Sequence, residues 1–305
     1  MKIKYLIPFF LFYFLSINVN SQTYVKTTSL FCETSILRHL KSLSSDAFEG
    51  RRTGTKGALK TKKYIINQFY SLGILPLGKS YEQRFLFEEK RREYKTTNVL
   101  GLIKGTENPR EYIVISAHYD HEGVKNGVVY NGADDNASGL SALFGFGEYF
   151  KNNPPKHSVI LAAFDGEELG LQGSRYFVNN SIVPLEKIKM NINMDMISRS
   201  NKNELYVVGA QCSKKLKHIV EYYKYSEKIK LIAGHDGYDN LENWTYASDH
   251  TNFYKKGIPF LYFGVENHKD YHEPTDDYEN IHPEFYVEAI KVIISVFDKI
   301  DDLHF

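Results

Sequence analysis

Five strand-length apolar runs, EYIVISA at 111–117, SVILAAF at 158–164, MNINMDMI at 190–197, ELYVVG at 204–209 and IPFLYFG at 258–264, constrain this chain more than any other feature. They are continuous rather than alternating, which is the pattern of strands covered on both faces. Stretches with helical character lie between and after them, at about 137–151, 173–180, 212–225 and 283–300. Strands alternating with helices predict an α/β protein: three layers, with a mixed, mostly parallel central sheet and helices on both faces. Upstream, residues 34–50 read as a short helix, with Ile36, Leu37, Leu40 and Leu43 on one face, running into a polar turn, and 58–72 as a second helix ending at Gly73. Residues 81–87 and 97–103 read as further strands. The polar, glycine-containing stretch 226–250 reads as a long excursion near the ligand crevice. The 305 residues show no internal repeat and no low-complexity linker, and they suit a single domain over 22–305.

The start of the chain reads differently. Lys2 and Lys4 precede an apolar run at 5–15, followed by Val19, Asn20 and Ser21. That is the layout of an export signal cleaved before Gln22, and the run is shorter than the roughly 20 residues a membrane-spanning helix needs. The expectation is an exported protein, periplasmic or extracellular, with no stable membrane association once residues 1–21 are removed. A formal charge of +1, from 38 basic and 37 acidic residues, excludes bulk electrostatic attraction to nucleic acid. Cys32 and Cys212 are too few for a disulfide framework, although export permits one bond.

Open parallel sheets bind ligands beyond the carboxyl ends of their strands. The polar residues of this chain fall there repeatedly. His118-Tyr119-Asp120-His121 follows the first run, Asp165-Gly166-Glu167-Glu168 follows the second, Asp195 sits within the third, and Tyr271-His272 follows the last by a loop. Asp249-His250 follows the excursion. Taken singly, His118 reads as a hydrogen-bonded loop residue, and Glu167-Glu168 as acids at a helix start. Asp195, among apolar strand residues, requires a partner or a cation to offset its burial. A His and carboxylate set without cysteine suits a borderline divalent ion, zinc above all. Several carboxylates could also serve two ions about 3.5–4 Å apart around a hydrolytic water, with a further acid as general base. In GADDNASG, 132–139, neighbouring side chains point in opposite directions, so Asp134 and Asp135 are expected to do different work.

The series HYD at 118–120, GADDNASG at 132–139, FDGEELGLQGS at 164–174, NMDMI at 193–197 and YHEPTD at 271–276 resembles the M28 family of zinc metallopeptidases. These are co-catalytic dizinc aminopeptidases with a zinc-exopeptidase (phosphorylase/hydrolase-like) fold. LSSDAFEGRRTGTKG at 43–57 is similar to the N-terminal segment of secreted bacterial members. The resemblance implies two Zn²⁺ per chain, held by His118, Asp135, Glu168, Asp195 and His272. Asp135 would bridge, His118 and Asp195 would complete one shell, and Glu168 and His272 the other. Glu167 matches the general base, and Tyr271 a group that helps polarise the scissile carbonyl. Asp120 matches an acid that hydrogen-bonds the first histidine, and Asp249 an acid near the site. A cis peptide at Asp135-Asn136 is implied as well, with Asp134 bracing the loop or capping the following helix.

The implied activity is a monomeric, exported aminopeptidase acting on peptides with a free N-terminus. Secreted glutaminyl cyclases, which use a single zinc, are the nearest alternative on the same scaffold; dipeptidase or carboxypeptidase-like activity of related metallopeptidases is another, and a binding protein that merely retained the fold is a third. Arg199 is expected to pair with an acid. Trp244, Tyr238, Leu241 and Tyr246 are expected either to cap the substrate pocket or to pack the excursion onto the domain.

Overall fold

The structure is a computed structural model that describes residues 29–223 and 228–305. The expected export segment, 1–21, lies outside the described residues. The strands are β1 Leu75–Pro76, β2 Glu82–Glu89, β3 Arg92–Ile103, β4 Asn108–His118, β5 Gly123–Lys125, β6 Val128–Tyr130, β7 His157–Phe164, β8 Ile188–Met194, β9 Glu204–Val208, β10 Lys230–Ala233 and β11 Phe260–Gly264. The helices are α1 Glu33–Leu43, α2 Lys56–Ser71, α3 Gly139–Asn152, α4 Gln172–Asn179, α5 Lys214–Tyr222, α6 His250–Tyr254 and α7 Pro283–Asp301. Nine strands form one sheet in the order β1-β3-β7-β4-β8-β11-β9-β10, with β2 paired to β3, while β5 and β6 form a separate hairpin.

The centre of the sheet, β7-β4-β8-β11, is parallel throughout, and antiparallel pairs begin at β3 on one side and at β9 on the other. Strand β7 shows why its sequence is apolar without alternation. Val159, Leu161 and Ala163 enter one core, and Ile160, Ala162 and Phe164 the other. The first core packs under α1, α2, α3, α5 and α7, and the second receives Phe177 of α4 and Phe253 of α6. Helix α1 buries Ile36, Leu40 and Leu43, the i, i+4, i+7 stripe of an amphipathic helix. In α2, the Thr55 hydroxyl accepts from the Ala58 N–H, and α7 starts on Pro283, whose missing N–H costs nothing in the first turn.

Three elements depart from the sequence reading. The 34–50 helix stops at Leu43, and a 3₁₀ segment, Asp46–Arg51, follows. Strand β10 lies within the excursion expected to be irregular; at four residues, with only Leu231 fully buried, it carries little apolar signal. The hairpin of β2 and β3 runs through the charged stretch 88–96, because a strand pair at the sheet margin keeps one face in water. Cys32 carries a free, exposed thiol. Among the described residues, no helix is long and apolar enough to cross a membrane.

Candidate metal centre

The parallel core delivers four of the expected residues to one edge. β4 ends on His118, β7 leads into Asp165–Glu168, β8 into Asp195, and β11 into the loop that carries His272. His118 is in register with Phe164, and Ser116 with Asn193, so His118 and Asp195 lie at the same level on adjacent strands. Asp135 comes from a wide turn, Ala133–Ser138, that leads into α3, and its peptide bond to Asn136 is cis. The turn opens on Gly132 at φ +56°, where a Cβ would fall 2.5 Å from the His121 ring and 2.1 Å from the Asp135 carbonyl oxygen. Only glycine fits there.

The two oxygens of Asp135 face different partners. Oδ1 is 3.3 Å from His118 Nε2, which is 3.2 Å from Asp195 Oδ1. Oδ2 is 3.1 Å from His272 Nε2, which is 3.3 Å from Glu168 Oε2. Ligand atoms 2.0–2.1 Å from a tetrahedral zinc stand about 3.3 Å apart. The spacing and the all-N/O donor chemistry therefore fit zinc on either side of Asp135. His118 Nδ1 lies 3.1 Å from the Asp120 carbonyl oxygen; an N–H donated there leaves the Nε2 lone pair facing the carboxylates.

Asp120 itself departs from the implied arrangement. Its carboxylate is 3.8 Å from His118 Nδ1 and instead accepts the backbone N–H groups of Glu167 (3.0 Å) and Glu168 (3.3 Å) and the Thr53 hydroxyl (3.0 Å). It orients the glutamate pair, while its main chain orients the histidine. Asp134 turns away from the centre and braces the loop. Its Oδ1 accepts from the Ser198 N–H and hydroxyl at 2.7 and 2.8 Å, and its Oδ2 lies 3.0 Å from His268 Nε2. Arg199 pairs with Asp270. Asp249 is buried beside Glu167 and Asp195, and Tyr271 stacks on the His272 ring with centroids 4.0 Å apart.

Four contributors were missed by the sequence reading. His121 is fully buried, with Nδ1 2.9 Å from Glu168 Oε1 and 3.7 Å from Asp135 Oδ2, and its Nε2 has no hydrogen-bond partner among the described residues. The signal for it was present in HYDH, one residue past the motif. Asp276, in YHEPTD, accepts the backbone N–H groups of Asp134 and Asp135 at 2.9 and 3.0 Å. Arg51 is completely buried and donates to the carbonyl oxygens of Leu43, Tyr119, Asn131 and Gly132 at 2.5–3.0 Å. Asp165 accepts from Thr53, Thr96 and Tyr119 beneath Asp120.

The electrostatics follow from this crowding. Burial alone would lower the His118 ring, but Asp195 and Glu167 outweigh it and hold its pKa well above the ordinary value. Burial likewise works against His272, which hydrogen bonds to Asp135 and Glu168 raise to about 10. Glu168 is pushed up by burial and by Asp135, yet hydrogen bonds from His121 and His272 bring it down to about 2. Glu167 goes the other way: burial raises it well above the usual carboxylate range, and Glu168 and Asp195 add to that. Burial lifts Asp249 to about 6. A divalent cation would displace the protons held on the two histidines.

Over the carboxylates lies a cavity of about 160 Å³, walled also by Met196, Trp244, Ala247, Tyr262 and Val265. This is close to the cavity of about 150 Å³ that takes up benzene, which is room for one side chain. Of the four excursion residues singled out, only Trp244 lines it; Tyr238, Leu241 and Tyr246 are exposed.

Comparison with known proteins gives this arrangement a lineage. An aminopeptidase of Bacillus subtilis, YwaD, is 30% identical over 207 residues, which is 63% of this chain and 42% of that protein. The alkaline phosphatase isozyme conversion protein of Escherichia coli is 29% identical over 139 residues, 42% of this chain and 40% of that protein. The matched stretch thus spans about two fifths of each of these relatives. Among solved structures, BSAP, a zinc aminopeptidase from Bacillus subtilis, superposes with a TM-score of 0.70 at 18% identity, covering 88% of this chain and 95% of that one. The glutaminyl cyclase of Porphyromonas gingivalis gives the same TM-score, 0.70, at 17% identity, covering 88% and 99%. At these identities the structures establish a shared fold. The model of peptidase family M28 matches residues 98–297, which include every residue of the two trios around Asp135, and the chain belongs to that family.

Proposed function

We propose that this protein is a zinc-dependent aminopeptidase that uses two ions, exported by residues 1–21 and acting as a monomer through one catalytic domain over 22–305. The observation that carries the reading is the division of the two Asp135 oxygens between His118/Asp195 on one side and Glu168/His272 on the other, with Glu167 close to His118, Glu168 and Asp195 and part of neither set. Zinc, once bound, supplies the Lewis acidity that makes water a nucleophile at neutral pH and polarises a carbonyl. Glu167 takes the proton of the attacking water and returns it to the leaving nitrogen, a task that suits a carboxyl with raised proton affinity. Asp120 fixes the backbone from which Glu167 and Glu168 project, so that adjacent residues divide base and ligand work. The Tyr271 hydroxyl steadies the carbonyl oxygen of the scissile bond.

A single-zinc glutaminyl cyclase is the second reading, because the cyclase and aminopeptidase structures superpose equally well. Both donor sets are complete here, which favours hydrolysis. The test is a panel of aminoacyl and N-blocked peptides with and without chelator. Cleavage of free N-termini only, abolished by chelation, is expected. Cyclisation of N-terminal glutamine without peptide cleavage would sink the proposal.

A further inference from the structure

The cavity contains one acid for which the metal centre has no use. Asp135, Glu168 and Asp195 belong to the donor sets and Glu167 is the proposed base, which leaves Glu242. It is exposed, and among the described residues no lysine, arginine or histidine side chain forms an ion pair with it. No lysine or arginine lines the cavity either. Glu242 is tied to the aromatic wall: its Oε2 is 3.4 Å from Trp244 Nε1, and its carbonyl oxygen is 2.9 Å from His235 Nδ1. The Trp244 indole is itself fixed by stacking on His235, with centroids 3.5 Å apart and planes within 5°.

The walls and the acid together describe a guest. Met196, Ala247, Tyr262 and Val265 offer an apolar path for an unbranched stem, and Trp244 offers a ring beside a carboxylate. Lysine and arginine combine such a stem with a terminal cation that the carboxylate can accept. An aspartate or glutamate side chain would meet like charge. We propose that Glu242 selects substrates whose N-terminal residue is lysine or arginine, by accepting the ammonium or guanidinium group of that side chain. This rests on the aminopeptidase reading.

The experiment uses the zinc-loaded full chain and its Glu242→Gln variant. The ratio of kcat/KM for arginyl and lysyl over leucyl and methionyl anilides is expected to fall about tenfold in the variant. Because Glu242 is solvent-accessible, the wild-type ratio should also shrink as salt rises. Calorimetric binding of L-argininamide and L-leucinamide provides a readout that needs no turnover. Loss of argininamide affinity in Glu242→Gln, beyond any loss for leucinamide, supports the assignment even if no anilide is cleaved, in which case the aminopeptidase reading alone fails. Cleavage of anilides with an unchanged ratio overturns the assignment and leaves the activity standing. An equal loss for all four anilides also overturns it, because that would make Glu242 a contact of the shared α-amine.

Discussion

The two donor sets that share Asp135 are built by different means. His118 and Asp195 are set by neighbouring core strands, and His118 is only 1% exposed. His272 sits on a loop at φ +56°, a conformation uncommon outside glycine, and its side chain is 35% exposed. The sheet positions the first set as a consequence of folding. The second set depends on loop anchors: Asp276 on the amides of Asp134 and Asp135, Arg199 on Asp270, the Thr275 hydroxyl on Asp270 at 2.6 Å, and His121 behind Glu168. The first set is therefore enclosed by the sheet, and the second is enclosed at Glu168 and half-exposed at His272.

Glu167 stands between the halves, and substituting it tests whether it belongs to either. On the proposed two-ion reading, Glu167→Gln should lower kcat by about 10²–10⁴, the range of a lost general base, without changing the metal content. Metal analysis beside turnover checks this. Loss of an ion from Glu167→Gln would mean that Glu167 and Glu168 have exchanged roles.

Arg51 bears on both halves, since it grips the carbonyl of Tyr119, next to His118, and those of Asn131 and Gly132 before the turn carrying Asp135. It stays charged at neutral pH, although burial lowers its pKa to about 10. Arg51→Met strands these carbonyls in the interior and should destabilise the fold by about 3–5 kcal/mol, since each buried acceptor left unpaired costs roughly 1–3 kcal/mol. Denaturant unfolding of the metal-free protein measures it. A loss below about 1 kcal/mol would show that the carbonyls find other donors.

The contrast between the halves also explains what could be read from the sequence. The convergence of strand-end residues was legible because an apolar run ending in His or Asp advertises both the strand and the edge it reaches, as with His118 and Asp195. His272 and Glu168 were legible through the family's motifs, since neither loop announces its fold. Arg51 was not legible: its partners lie up to 81 residues away, and they are carbonyls, which every residue has. His121 was hard to read because His118, three residues before it, already supplies the histidine of the motif. Strand β10 was lost for want of length, and Asp120 was assigned the right neighbour through the wrong atom.

A smaller effect sharpens the comparison directly. If His121 steadies Glu168, His121→Asn should weaken the more loosely held ion by about 10–100-fold, the usual range for a group that orients a ligand, and leave the other in place. Zinc titration with a chromophoric chelator resolves the two affinities. Equal weakening of both would mean that the halves are not separable. Retention of both would mean that His121 only fills space.

The smallest expected effect concerns a histidine outside either half, behind the cavity wall. His250 stacks on Tyr262 with centroids 4.5 Å apart, and its Nε2 lies 3.0 Å from the Trp244 carbonyl oxygen. Burial lowers its pKa from 6.5 to about 3. The unfolded chain binds this proton more readily than the folded one, so the stability contributed by the neutral ring is fully present above pH 6.5 and is lost as pH falls toward 3. Between pH 7.5 and 5.5 the loss should be roughly 1.4 kcal/mol. Protons on the metal-binding histidines also change stability in this range, so wild type must be compared with His250→Gln, which keeps a donor and does not titrate. Their difference in unfolding free energy should shift toward the variant as the solution is acidified, with or without zinc. A difference that moves only in the zinc-loaded protein would place the acid sensitivity back in the two donor sets.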